Sequence, residues 1–192
     1  LTAVSARGRE MANIDVPDLG KMASVFASGD DIEKVLEPIR AAGGYVVCAN
    51  RNSHVQTVIA GSSEGVDQAC TAMEKLGVKI VRLEVSTAFH TKIVAPAQEP
   101  LMRVLKGMDI QTPTIPVYRN TDGTPYPMTG NDAAEIVSIL GQQVASPVEF
   151  VRGLEAMWAD GFTHFIEIGP KKVVSGMVEN VLGDRGAVAI GT

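Results

Sequence analysis

His90 lies in Val85-Ser86-Thr87-Ala88-Phe89-His90-Thr91, directly after a strand-like run and before a helical one. Loops held between rigid elements are where folds tend to place reactive groups. An imidazole, with an unperturbed pKa near neutrality, can take a proton and return it. A packed histidine that merely satisfies its hydrogen bonds fits the same spacing, so both readings stand for the residue alone. The other two histidines carry less: His54 follows Ser53 in an exposed turn, and His164 opens a strand where packing or hydrogen bonding is expected. Arg7, in Ser5-Ala6-Arg7-Gly8-Arg9, reads by itself as a solvated or i,i+4-paired helical side chain. Gly61-Ser62-Ser63-Glu64-Gly65 fits G-x-S-x-G between a strand and a helix, the setting of a nucleophilic serine. A serine before acidic residues at a helix start is also an ordinary N-cap, which is the reading adopted here. No His/Cys/Asp/Glu group has metal-ligand spacing, and no glycine-rich loop followed by lysine cradles phosphate. Lys171-Lys172 after Gly169-Pro170 read as a solvated helix start, with an anion on the helix N-terminus as the alternative.

The elements that must position these residues alternate apolar strand-like runs with helical patterns, which predicts an α/β or α+β fold. Strands are predicted at Lys21 to Ala27, Tyr45 to Ala49, Thr57 to Ala60 and Val78 to Val85. Helices are predicted at Asp30 to Ala42, capped by Gly29-Asp30-Asp31, and at Gly65 to Leu76, with Val66, Ala69, Cys70 and Met73 on one face. This β-α-β-β-α-β order is that of a ferredoxin-like unit. The remainder has a different rhythm. Helices are predicted at Leu1 to Ala12, Ala97 to Gly107, Ala133 to Val144, Pro147 to Asp160 and Lys171 to Leu182, with strands at Ile115 to Tyr118, His164 to Ile168 and Ala187 to Ile190. Residues 20–85 therefore read as an insertion between residues 1–19 and 86–192 of a larger α/β layer. That layer is short of strands, since a parallel sheet is normally buried on both faces. The expectation is that the rest lies before Leu1.

The bulk properties exclude some functions. The chain has 192 residues, 45% of them hydrophobic, enough for a buried core. A net charge of -5, from 17 basic and 22 acidic residues, argues against sequence-independent binding of nucleic acid. No apolar run reaches membrane-spanning length, and residues 1–13 lack a signal peptide's apolar middle, so a cytoplasmic protein without a membrane partner is expected. Cys48 and Cys70 read as reduced core residues.

Five short motifs occur in one order: Arg7-Gly8 with Met11; Asn50-Arg51-Asn52-Ser53, read as a loop, with Gln56; Ala88-Phe89-His90; Gln143-Val144-Ala145-Ser146-Pro147-Val148; and Glu167-Ile168-Gly169-Pro170. Together they resemble the malonyl-CoA:acyl-carrier-protein transacylase family, which includes the acyltransferase domains of fatty-acid and polyketide synthases. The resemblance implies an α/β-hydrolase-like subdomain, here incomplete, with a ferredoxin-like subdomain inserted into it. It implies that His90 is the base activating a serine and then a carrier-protein thiol, and that the backbone carbonyl of Gln143 orients its ring. Arg7 matches the arginine that binds the free carboxylate of a malonyl group. Asn52 matches a position lining the cleft between subdomains. Phe89 matches a position whose bulk excludes a methyl branch. The implied substrates are malonyl-CoA and the phosphopantetheine thiol of an acyl-carrier protein, with no tightly bound cofactor and no metal. Neighbouring synthase domains are the other implied partners.

Two departures from the family pattern matter. The Gly-His-Ser-x-Gly elbow and the glutamine of the oxyanion hole would fall upstream of Leu1, so the chain alone is expected to be inactive. Thr87 stands where malonyl-selective members often have histidine. Two non-catalytic alternatives are a docking module of the same fold for a carrier protein or synthase domains, and a ferredoxin-like ligand-binding or regulatory domain.

Overall fold

The computed structural model describes residues 1–129 and 132–192. Helix α1 (Thr2–Ala12) leads into a unit built from β1 (Lys21–Val25), α2 (Gly29–Ala41), β2 (Val46–Ser53), β3 (Gln56–Gly61), α3 (Ser63–Lys75) and β4 (Ile80–Arg82). Its four strands lie in the order β2-β3-β1-β4 and every pairing is antiparallel. The strand residues alternate between two buried surfaces, as a pleated sheet requires. Ala23, Val25, Val46, Cys48 and Ile59 face the helices, meeting Ile32 and Leu36 of α2 and Val66, Ala69, Cys70 and Met73 of α3. Met22, Ala49, Val58 and Ala60 face the other way, against Leu83, Ala88, Phe89 and Ile93. The chain around His90 is thus itself the cover of the sheet's second face.

Both helices start on serine caps. Ser28 accepts a hydrogen bond from the Asp31 N–H, and Ser62 from the Gly65 N–H. Each such cap contributes about 1 kcal/mol. The first corrects the sequence expectation of a cap within Gly29-Asp30-Asp31. The second gives Ser62 its role in the G-x-S-x-G stretch, while Ser63 donates its hydroxyl to Asp18.

Beyond the sheet, a 3-10 turn (Lys92–Ala97) runs into α4 (Gln98–Lys106), followed by α5 (Ala133–Gln143). Ala6 of α1, Val94, Ala97, Leu101, Leu105, Val137 and Val144 close into one cluster, with Phe89 packed on it. Next come α6 (Phe150–Ala159), β5 (His164–Glu167), α7 (Val173–Leu182) and β6 (Val188–Gly191). β5 and β6 pair in parallel, with Phe165 opposite Ala189 and Ile166 opposite Ile190. Phe165 and Ala189 pack on α6 and α7, whereas Ile166 is 64% exposed and Ile190 48%. The outer face of this parallel pair is bare.

Several expectations are corrected. Asn50 to Ser53 is no loop: it continues β2, paired with β3 through two register irregularities. Its polar side chains are tolerated because β2 is the edge strand, where one side of the ribbon is not enclosed by the sheet. Ile115 to Tyr118 is not a strand; only a Tyr118–Pro125 bridge forms there. Pro116 cannot donate to a ladder, and Ile115 is 70% exposed. The helix expected from Pro147 starts at Phe150, because Val148 donates its N–H to the Ala49 carbonyl and accepts from the Arg51 N–H, 2.8 Å each. β4 is three residues long where eight were expected, and Leu83, just beyond it, still donates to the Met22 carbonyl.

No helix among the described residues is long and apolar enough to cross a membrane.

Candidate active site around His90

His90 occupies the third position of a turn, Ala88 to Thr91, and has a φ of 59°, in the left-handed region. A non-glycine residue there costs of order 1–3 kcal/mol and persists only when its surroundings enforce it. The enforcement is visible on both flanks. Ala88 N–H and Thr87 Oγ1 both donate to the Leu19 carbonyl, at 2.8 and 2.9 Å. The Lys92 N–H donates to the Tyr45 hydroxyl at 3.0 Å, tying the turn's exit to the start of β2. Gly20, with a φ of 74°, makes the close approach possible: a Cβ there would strike the Gly61 carbonyl and the Ala88 side chain. Thr87 therefore has a structural task, buried and hydrogen-bonded at the turn's entrance.

The imidazole is half-buried, with Nδ1 3.2 Å from the Ser146 carbonyl. A carbonyl only accepts, so in the neutral ring Nδ1 carries the proton and Nε2 keeps its lone pair. Among the described residues Nε2 has no hydrogen-bond partner, and it is not sealed from solvent. Burial pushes the His90 pKa below the ordinary histidine value; the Ser146 carbonyl opposes this, the Arg7 charge adds to it, and the Gln143 carbonyl opposes it again. The net result is an imidazole that is neutral near pH 7, with a free lone pair on a fixed nitrogen.

Arg7 comes to the same place from α1. Ala6 is buried against Val94, four residues past His90, and Arg7 is the next residue round the helix. Its guanidinium is exposed and makes no ion pair among the described residues, yet its charge is felt at His90. Phe89 joins the two halves of the site, packing both on the α1 and α4 cluster and on the sheet cluster. Gln143 ends α5, and its carbonyl also accepts from the Ser146 N–H at 3.4 Å. Asn52 lies at a register irregularity of β2, and none of the described hydrogen bonds or ion pairs links it to His90 or Arg7.

Ser146 was missed by sequence reasoning. Its carbonyl lies 3.2 Å from Nδ1, and the Gln143 carbonyl acts on the ring beside it; a backbone atom leaves no trace in residue types. Its position is set by the next residues, since Val148 is bridged to Asn50 on the edge of β2. The sheet unit thus holds the carbonyl that holds the histidine.

Other candidates resolve differently. His54 is exposed in the turn after β2, and exposed His164 contacts the Thr163 hydroxyl through Nδ1. Glu167 closes the anion alternative at Lys171-Lys172, because its carboxylate takes the Val174 and Ser175 N–H groups and the Ser175 hydroxyl. Those three bonds hold the Glu167 carboxyl below the usual carboxylate range. Cys48 and Cys70 are free and buried, and burial pushes the Cys48 thiol up to about 12. A cleft of about 420 Å³ bounded by Arg51, Glu149 and Arg152 has neither His90 nor Arg7 in its wall. Its arginines are already tied, Arg51 to Glu33 at 3.0 Å and both to Glu149 at 3.5 Å. Among the described residues no group of three or more potential metal ligands occurs.

Comparison with known proteins gives one picture. Residues 1–189 match a family described as the acyl transferase domain. A malonyl CoA-acyl carrier protein transacylase of Bacillus subtilis is 36% identical over 180 residues, which is 93% of this chain and 56% of the relative. The crystal structure of an acyl-carrier-protein S-malonyltransferase from Burkholderia pseudomallei superposes with a TM-score of 0.88 at 31% identity, covering 98% of this chain and 60% of that one. The acyltransferase domain from the second module of the salinomycin polyketide synthase superposes with a TM-score of 0.83 at 27% identity, covering 99% and 42%. The chain thus spans under two thirds of the length of these proteins.

Proposed function

Since the chain belongs to the acyl transferase domain family, we propose that it is the histidine-bearing part of an enzyme that moves malonyl from CoA to the phosphopantetheine thiol of an acyl-carrier protein. The observation that carries this reading is the neutral His90 ring, held through Nδ1 with Nε2 free, beside the unpaired guanidinium of Arg7. The setting is fatty-acid or polyketide synthesis in the cytoplasm, with neighbouring synthase domains as partners.

The reaction follows a ping-pong course. Nε2 of His90 takes the proton of a serine hydroxyl as the serine oxygen attacks the malonyl thioester carbonyl. Collapse of the tetrahedral adduct breaks the C–S bond, and the departing CoA sulfur receives the proton back from the imidazolium. The carrier-protein thiol then gives its proton to Nε2, attacks the acyl-serine, and leaves the serine reprotonated. Throughout, the ring stays in place because Nδ1–H donates to a carbonyl, and an imidazolium formed there is stabilised by the Ser146 and Gln143 oxygens. Arg7 takes the free malonyl carboxylate, for which its fork of N–H donors is suited. Phe89 fills the volume a methyl branch would need. Asn52 lines the cleft between subdomains; its place on β2 assigns it no chemical step.

In this reading residues 20–85 form the ferredoxin-like subdomain, inserted into an α/β-hydrolase-like layer made from residues 1–19 and 86–192. The strand order β2-β3-β1-β4 supports the first part. The serine and the oxyanion hole come from a segment outside these 192 residues, and the bare face of the β5–β6 pair supports further structure packing there. No cofactor or metal takes part.

The test is acylation by malonyl-CoA, read by intact mass, on this chain mixed with a polypeptide supplying the serine segment. The reading expects no adduct on the chain alone and a malonyl adduct on the added segment. It expects that adduct to vanish with His90→Ala. A folded, associated mixture without an adduct would leave the non-catalytic docking module as the better account.

A further inference from the structure

The turn that carries His90 is closed in an unusual way. In most turns of four residues the first carbonyl accepts from the fourth N–H. Here the bond from the Thr91 N–H to the Ala88 carbonyl is poorly aligned, and Thr91 Oγ1 donates to the same carbonyl at 2.7 Å. The same hydroxyl oxygen accepts from the Ile93 N–H at 3.2 Å, starting the 3-10 turn that leads to α4. Thr91 is only 2% exposed, so no water competes for its hydroxyl. Two residues lie inside the loop it closes, Phe89 and His90, and His90 is the one with positive φ.

We propose that Thr91 is a positioning residue for His90: its buried hydroxyl reinforces the weak backbone closure of the turn and holds His90 in the left-handed conformation that brings Nδ1 to the Ser146 carbonyl. Without that hydroxyl, φ at His90 relaxes to the negative values a side chain prefers. The ring then swings away from Ser146, and with the Nδ1 bond gone nothing selects which nitrogen carries the proton. Thr91 touches no reacting atom. It decides where the lone pair points and that the lone pair is on Nε2.

The proposal deepens the reading of His90 as a base, but its test needs no serine and no turnover, so the two fail separately. Nitrogen and carbon NMR shifts of the three imidazoles report tautomer and titration, with His90→Ala identifying the resonance of interest. Wild type is expected to show the Nδ1–H tautomer at His90. Thr91→Val, which keeps the shape and removes the donor, is expected to give mixed tautomers and a shifted midpoint. Thr91→Ser is expected to restore the wild-type signature. Unchanged tautomer and midpoint in a folded Thr91→Val protein would overturn the proposal.

A stability cycle covers the case in which Thr91→Val folds poorly. With His90→Gly the left-handed position is no longer strained, so Thr91→Val is expected to lower the denaturant midpoint less in that background. Equal losses in both backgrounds, or failure to fold in both, would assign Thr91 to capping the 3-10 turn alone and overturn the positioning role.

Discussion

The carbonyl of Ser146 lies 3.2 Å from Nδ1 of His90 across 56 residues of sequence. That one contact fixes the tautomer, and with it the nitrogen available to accept a proton. Together with burial and the nearby Arg7 charge it also determines when the ring titrates.

The first prediction concerns pH. Because the pKa of His90 is lowered, its NMR midpoint is expected below the ordinary value of 6.5. The sign of the linkage follows: the unfolded chain binds the proton more readily, so the contribution of His90 to stability is present above pH 6.5 and is lost as pH falls through the folded midpoint. Denaturant melts of wild type and His90→Asn across pH 5 to 7.5 would check this. A His90 midpoint at or above 6.5 would contradict the burial argument.

The second concerns Arg7. Its charge depresses the His90 pKa, so Arg7→Ala is expected to move the His90 midpoint upward, with Arg7→Lys close to wild type. In the acylation mixture Arg7→Ala is expected to shift the preference from malonyl toward uncharged acyl groups. Competition between malonyl-CoA and acetyl-CoA, read by mass, tests the second effect independently of the first.

Ser62 offers a control on the nucleophile. As an N-cap its replacement by alanine is expected to cost about 1 kcal/mol and to leave adduct formation on the added segment intact. Loss of the adduct in a Ser62→Ala protein that remains folded would return Ser62 to the list of candidate nucleophiles.

Phe89 has two jobs that a series can separate. It packs on two apolar clusters, so Phe89→Ala is expected to lower stability by about 3 kcal/mol. Phe89→Leu keeps most of the volume and is expected to cost far less. If excluded volume sets the choice of acyl group, acceptance of methylmalonyl-CoA rises from Phe to Leu to Ala. A flat series with folded variants would remove Phe89 from selectivity and leave it as packing.

Much of the scaffold was legible because it depends on local periodicity. The buried face of α3 includes Val66, Ala69, Cys70 and Met73, as helical spacing requires, and the short apolar strand-like runs around Ala23 and Ile59 gave the inner strands. What failed was the polar part of β2. Asn50 to Ser53 reads as a loop because its side chains are hydrophilic, and it is a strand because its backbone pairs with β3 on one side and with Val148 on the other. The same bridge moved the start of α6 from Pro147 to Phe150.

The site divides along the same line. Residue order alone singled out His90, Arg7, Phe89 and Gln143, since their types and succession resemble a known arrangement. The choice of Ser146 as the ring's acceptor, the left-handed backbone of His90, and the hydroxyl closure by Thr91 were decided only in three dimensions. Each depends on a backbone atom or dihedral brought into place by segments distant in sequence, and backbone atoms are the same in every residue, so no residue pattern records them.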